Sequence, residues 1–94
     1  MSKTITKDKQ DQLLDRISKY PWVIFLHNDD HNTFDWVISC LMEHCDHHLE
    51  QATQCAHIVH FVGVCDVKRG ELDQLKKIYE SLKTAGLSVT LEEV

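Results

Sequence analysis

The chain has 94 residues, enough for one domain, and 43% of them are hydrophobic, enough for one modest core. Ten Lys and Arg against fifteen Asp and Glu leave a net charge of −5, and no basic cluster offers the phosphate contacts a nucleic-acid binder needs. No apolar run approaches the roughly 18 residues of a membrane span, and "MSKTITKDKQDQLL" lacks an apolar signal-peptide core, so a cytoplasmic monomer is expected.

Residues 1–20 are mostly Lys, Asp and Gln and read as a flexible polar N-terminal extension, with Leu13, Leu14 and Ile17 giving at most a weak amphipathic turn or two. The folded domain is expected over residues 21–94, starting at Pro21. "WVIFL" (22–26) is aromatic and β-branched and reads as a strand. "NDDHN" turns the chain, and Asn32 is placed to cap the next helix, with Asp35 three residues on. Phe34, Val37, Ile38, Leu41, Met42 and Cys45 then form one continuous helical stripe.

"DHHLE" breaks that stripe, and Leu49, Ala52, Cys55, Ala56 and Val59 supply the inner face of a second helix. "IVHFVGVCDV" (58–67) shifts to β-branched residues and is expected as a strand, followed by a turn at "KRGE". Leu72, Leu75, Ile78, Tyr79, Leu82 and Ala85 define a third helix, with Gly86 at its C-terminal cap. "LSVTL" (87–91) alternates apolar and hydroxyl residues, the pattern of a half-buried strand. The expected fold is a compact α+β domain of order β-α-α-β-α-β, a mainly antiparallel three-stranded sheet with three helices on one face.

Seven His and four Cys raise the question of a metal. Cys40, His44 and His48 are spaced by four, but C-x-x-C, H-E-x-x-H and paired ligand couples are missing, so no metal or other cofactor is expected. The imidazoles of 44–48 read as surface groups in a loop. Cys40, Cys45, Cys55 and Cys65 are expected as thiols, given a reducing compartment. A Cys–His nucleophile fares no better. His60 and Cys65 fall five apart on one expected strand, hence on opposite faces, and no glycine-rich oxyanion loop is present. The chain is not expected to be an enzyme.

Two features remain. Asn28-Asp29-Asp30 suits a turn and a helix N-terminus, where carboxylates are favoured. His60 suits a junction between elements. Both lie at edges of the same small core, beside the apolar wall of the first helix. Together with what surrounds them, "HNDDHNTFDWVISCLMEHC…EQATQCAHIVHFVG", they resemble the ClpS family, adaptors that bring N-degron substrates to a Clp-type AAA+ unfoldase–protease. The likeness runs over about residues 22 to 91. It rests on Asn28-Asp29-Asp30, on Glu50-x-Ala52 with the Ala-Thr-Gln run, and on Val59-His60-x-x-Gly63.

The resemblance implies a protein that grips the free α-amine of a peptide and buries its first side chain. By position, Asn28, Asp29 and His60 would hold the amine, with Asp30 adding negative potential or shaping the turn. Phe34, Val37, Ala56, Val59 and Leu87 would surround the first side chain, with His27 and Asn32 at the margins. Leu, Phe, Tyr and Trp are the implied first residues. The partners implied are N-degron proteins and the N-terminal domain of the unfoldase, with residues 1–20 helping to hand over cargo.

Physical chemistry suits that assignment. An α-amine is largely protonated at neutral pH, with three donors and no acceptor. An amide oxygen, a carboxylate and a neutral imidazole nitrogen all accept from it. The chain departs from the family pattern in placing Phe34 and Ala56 where Met is usual and Asn32-Thr33 where Thr-Pro is usual. The segment after Gly63 is also several residues shorter. Hydrophobic selection with an altered order among first residues is expected. The competing readings are a module that docks on the unfoldase without reading N-termini, a small His/Cys metal-binding protein, and a hydrolase.

Overall fold

A computed structural model describes residues 21–94; the extension expected over residues 1–20 lies outside the described residues. The element order is β1 (Trp22–His27), α1 (Phe34–His44), α2 (Leu49–Val62), β2 (Val64–Gly70), α3 (Leu72–Thr84) and β3 (Val89–Glu93). The strands form one antiparallel sheet in the order β2-β1-β3, so the first strand is central. This is the α+β arrangement expected from the sequence.

The centre of the sheet falls where the chain is most apolar. Ile24 and Leu26 of β1, two residues apart and so on one face, are almost fully buried. They join a single core with Cys40 and Leu41 of α1, Ala52, Cys55 and Val59 of α2, and Leu75 and Leu82 of α3. On the other face Val23 is buried and Phe25 half-buried, so β1 is apolar on both sides, as a central strand requires. All four cysteines are free thiols, and Cys40, Cys45 and Cys55 are buried. Burial pushes the Cys45 thiol up to about 12, with Lys68 partly opposing that rise.

Three stretches of the chain depart from expectation. "IVHFV" (58–62) is helical: α2 runs to Val62, and β2 begins only at Val64. Its β-branched residues follow without a break from the stripe of Ala52, Cys55, Ala56 and Val59, and tertiary packing outweighs their modest strand preference. The helix stops at Gly63, whose φ of +102° is a left-handed conformation that glycine adopts at little cost. "KRG" is likewise not a turn, because Lys68, Arg69 and Gly70 pair with Ile24, Val23 and Trp22.

The second correction concerns the first helix cap. Thr33, not Asn32, caps α1, its Oγ1 accepting from the Trp36 N–H at 3.1 Å. The third concerns the loop before α2. His47 is buried rather than on the surface, and His48 caps α2 by accepting from the Gln51 N–H at Nδ1. The His47 ring donates from Nε2 to the Val67 carbonyl at 2.7 Å. Val67 is the extra residue of a bulge, since Ile24 pairs with Lys68 and Phe25 with Asp66. The bulge takes Val67 out of the ladder, and the histidine supplies the donor.

The C-terminal end of α3 follows the sequence reading. Gly86, at φ +90°, lets Leu87 N–H reach the Leu82 carbonyl while its own N–H bonds to Lys83. The turn brings residues 86–88 alongside the loop after β1, where the candidate site is built.

Candidate functional site

The end of β1 is held from both sides. The His27 N–H donates to the Ser88 carbonyl at 2.8 Å, and the Asn28 N–H to the Gly63 carbonyl at 3.0 Å. The loop therefore leaves the sheet at a point joined to the end of α2 and to the approach to β3. It runs on to Thr33, where α1 starts.

Asp29 organises this loop. Its Oδ1 accepts from the backbone N–H groups of His31 and Asn32, both at 2.9 Å. Its Oδ2 accepts from the Asn32 side chain at 2.9 Å and from the Ser88 hydroxyl at 3.0 Å. A carboxylate offers about four acceptor sites, and four donors occupy them. Burial alone would raise the Asp29 carboxyl. The hydrogen bonds from the Asn32 side chain and backbone, the His31 backbone and Ser88 outweigh it and hold the group below the ordinary carboxylate value. Asn32 adds a tether of its own, donating from Nδ2 to the Gly86 carbonyl at 2.9 Å.

Beside the loop lies a hollow of about 250 Å³, lined by Leu26, His27, Asn28, Asp29, Asn32, Thr33, Phe34, Val37, Ala56, Val59 and His60. That volume lies below the roughly 300–1,000 Å³ of drug-sized ligand sites and suits something closer to a single side chain. Buried Leu26, Ala56 and Val59 give it an apolar lining, and half-exposed Phe34 stands at its rim. The Phe34 and His60 ring centroids are 5.2 Å apart. Asn28 and His60 are both exposed, and among the described residues neither side chain makes a hydrogen bond, so both present unoccupied lone pairs.

The sequence-derived residues fall into three groups. Asn28, Asp29, His60, Phe34, Val37, Ala56 and Val59 share this hollow, and so do His27 and Asn32, which had been placed only at its margins. His27 is fixed by a 2.8 Å hydrogen bond between its Nε2 and the Thr90 hydroxyl. Asp30 is exposed and is not among the lining residues. Leu87, expected around the first side chain, lies in the core instead, because the turn at Gly86 points it inward. Two lining residues were not foreseen, Leu26 and Thr33. Leu26 shares the face of Ile24, a period-two signal that could have found it, whereas Thr33 reads from sequence only as loop. Among the described residues, no group of three or more His, Cys, Asp or Glu is arranged to hold a metal ion. No helix there is long and apolar enough to cross a membrane.

Comparison with known proteins bears on what this architecture is for. The family model for ATP-dependent Clp protease adaptor protein ClpS matches residues 18–90. The ATP-dependent Clp protease adapter protein ClpS of Pectobacterium carotovorum subsp. carotovorum (strain PC1) is 33% identical over 79 residues, 82% of this chain and 73% of that protein. Among solved structures, Agrobacterium tumefaciens ClpS2 bound to L-phenylalaninamide superposes with a TM-score of 0.72 at 22% identity, covering 81% of this chain and 99% of that one. The strands, the helices and their order thus belong to a known adaptor fold, and the chain is a member of the ClpS family of Clp protease adaptors.

Proposed function

We propose that this protein is a non-catalytic adaptor that binds proteins by a free N-terminus carrying a bulky hydrophobic first residue and delivers them to a Clp-type AAA+ unfoldase. One observation carries the reading: the side chains of Asn28 and His60, unpaired among the described residues, line the same largely apolar hollow. An ammonium seated there donates to the Asn28 amide oxygen and to a neutral His60 nitrogen. Each such charge-assisted bond is worth about 1.5–3 kcal/mol. Asp29, whose oxygens are already occupied by His31, Asn32 and Ser88, acts through its charge and by fixing the loop that follows Asn28. Asp30 adds negative potential from the loop's exposed edge.

The first side chain enters between Leu26, Val37, Ala56 and Val59, where burying a Leu or Phe yields about 1.5–3 kcal/mol. An internal peptide bond has neither the charge nor the three donors, so chain ends are selected. The ligand of the Agrobacterium protein, a free amine beside a benzyl group, has the same two chemical features. Cargo and the unfoldase's N-terminal domain are the partners; ATP hydrolysis and peptide cleavage belong to the protease complex.

Isothermal titration with a Leu-start peptide and its N-acetyl form tests this directly. Acetylation removes the charge and two of the three donors, and an affinity loss of about 100-fold or more is expected from two lost charge-assisted bonds. Equal binding of the two forms would reject amine recognition and leave a module that docks on the unfoldase without reading N-termini.

A further inference from the structure

Large apolar side chains stand exposed where α2 ends: Ile58, Phe61, Val62 and Val64. Scattered exposed apolar residues need no explanation, but a cluster marks a contact surface. Phe61 is the extreme case, 79% exposed. It belongs to a set of four rings. Phe34 lies 5.2 Å from both His57 and His60, His57 stacks nearly parallel on Phe61 at 6.3 Å, and the His60 ring meets Phe61 edge-on at 4.9 Å. Phe34 and His60 line the hollow, while His57 and Phe61 do not. The aromatic surface thus begins inside the hollow and continues out of it along one face of α2, where positions 57, 60 and 61 are neighbours.

We propose that Phe61, backed by His57, is a second subsite that receives the second side chain of a bound chain end and favours an aromatic or large apolar residue there over glycine. This deepens the proposed function and rests on it. Continuity identifies the occupant. The imidazole proposed to accept from the amine is the ring whose neighbour is Phe61, and the second residue starts one Cα step, about 3.8 Å, from the first. A chain end seated at His60 therefore carries its second side chain within reach of the Phe61 ring. Aromatic pairing supplies a modest gain, about threefold to tenfold in affinity.

The test uses the full chain and three ligands: leucine amide, which has no second residue, and two otherwise identical peptides beginning Leu-Phe and Leu-Gly. The unaltered protein should bind Leu-Phe about three to ten times more tightly than Leu-Gly. Phe61→Ser should bring that ratio close to one while leaving leucine amide affinity within about twofold. Phe61 is so exposed that the variant should keep its melting temperature, which a thermal scan checks. Leucine amide binding together with equal affinity for the two peptides overturns the second subsite and leaves the amine seat standing. Failure of all three ligands to bind overturns the seat and the subsite together. A peptide ratio that persists in Phe61→Ser also overturns it. If that persistence comes with lost self-association or lost unfoldase binding, Phe61 is a protein-docking residue instead.

Discussion

The two loops that flank α1 are made of similar residues and have opposite fates. "NDDHNT" (28–33) stays at the surface and ties itself together around one carboxylate. "CDHH" (45–48) folds inward, buries His47 against the Val67 bulge and uses His48 as a helix cap. Lys68 reinforces that inward loop by donating from Nζ to the Cys45 carbonyl at 3.3 Å. One loop satisfies partly exposed backbone at the surface and leaves Asn28 unpaired among the described residues, and the other satisfies a buried carbonyl in the core. Composition does not distinguish the two roles; what differs is whether the backbone group that needs a partner lies at the surface or in the core.

That contrast can be broken from the buried side first, where the largest loss of stability is expected. His47→Ala removes a packed ring and leaves the Val67 carbonyl without its donor, so unfolding free energy should fall by about 2–4 kcal/mol. Chemical denaturation measures it, and peptide affinity of the folded protein should stay within about twofold. Next comes Asp29→Ala, which removes the shared acceptor of four hydrogen bonds on a half-exposed loop. A stability loss of about 1–2 kcal/mol is expected, together with at least tenfold weaker peptide binding as the site loses this charge and the loop loses its ties. An Asp29→Ala protein with undiminished affinity would show that the loop holds its shape without this carboxylate.

The pH dependence of the Asp29 contribution sharpens the same point. Its folded-state value lies below that of an unfolded-chain aspartate, about 3.9, so the stabilisation is fully present above that pH. It is lost as pH falls further, through the lowered folded-state value. The difference in stability between the unaltered protein and Asp29→Ala should hold steady from pH 7 to about pH 5 and shrink below about pH 4. A difference that vanished already at pH 6 would assign the effect to another group. The smallest change in stability is expected for Asn28→Ala. The side chain is exposed and unpaired among the described residues, so stability should move by less than about 0.5 kcal/mol while affinity falls about tenfold or more.

How much could be read from the chain follows the same division between regular and irregular backbone. The stripes of α1 and α3, the apolar run of β1 and the cap at Gly86 have periodic or local causes, and the sequence displays them. The end of α2 is ambiguous in sequence because "IVHFV" satisfies a strand's preferences while also continuing a helix, and only packing decides between them. The strand reading places His60 on the wrong element, yet the resemblance still sets it beside Asn28, because it aligns positions without needing the element type. The multiple duties of Asp29 were not legible: its partner Ser88 lies 59 residues away and is brought near by the sheet. The burial of His47 is illegible in sequence for a similar reason. Its partner exists only because β2 carries a bulge, and nothing in the spacing of "VCDVKRG" announces one.

The left-handed turn at Gly63 has a further effect. Its carbonyl receives the Asn28 N–H, and His60 sits three residues upstream on the same helix. A β-carbon at Gly63 would meet no atom within 4 Å, so what restricts this position is torsion rather than crowding. Two acceptors drawn from distant parts of the chain are thereby mounted on one joint. The loop after β1 and the end of α2 meet at this one residue, so a substitution that shifts its torsion angles would move Asn28 and His60 relative to each other without altering either side chain.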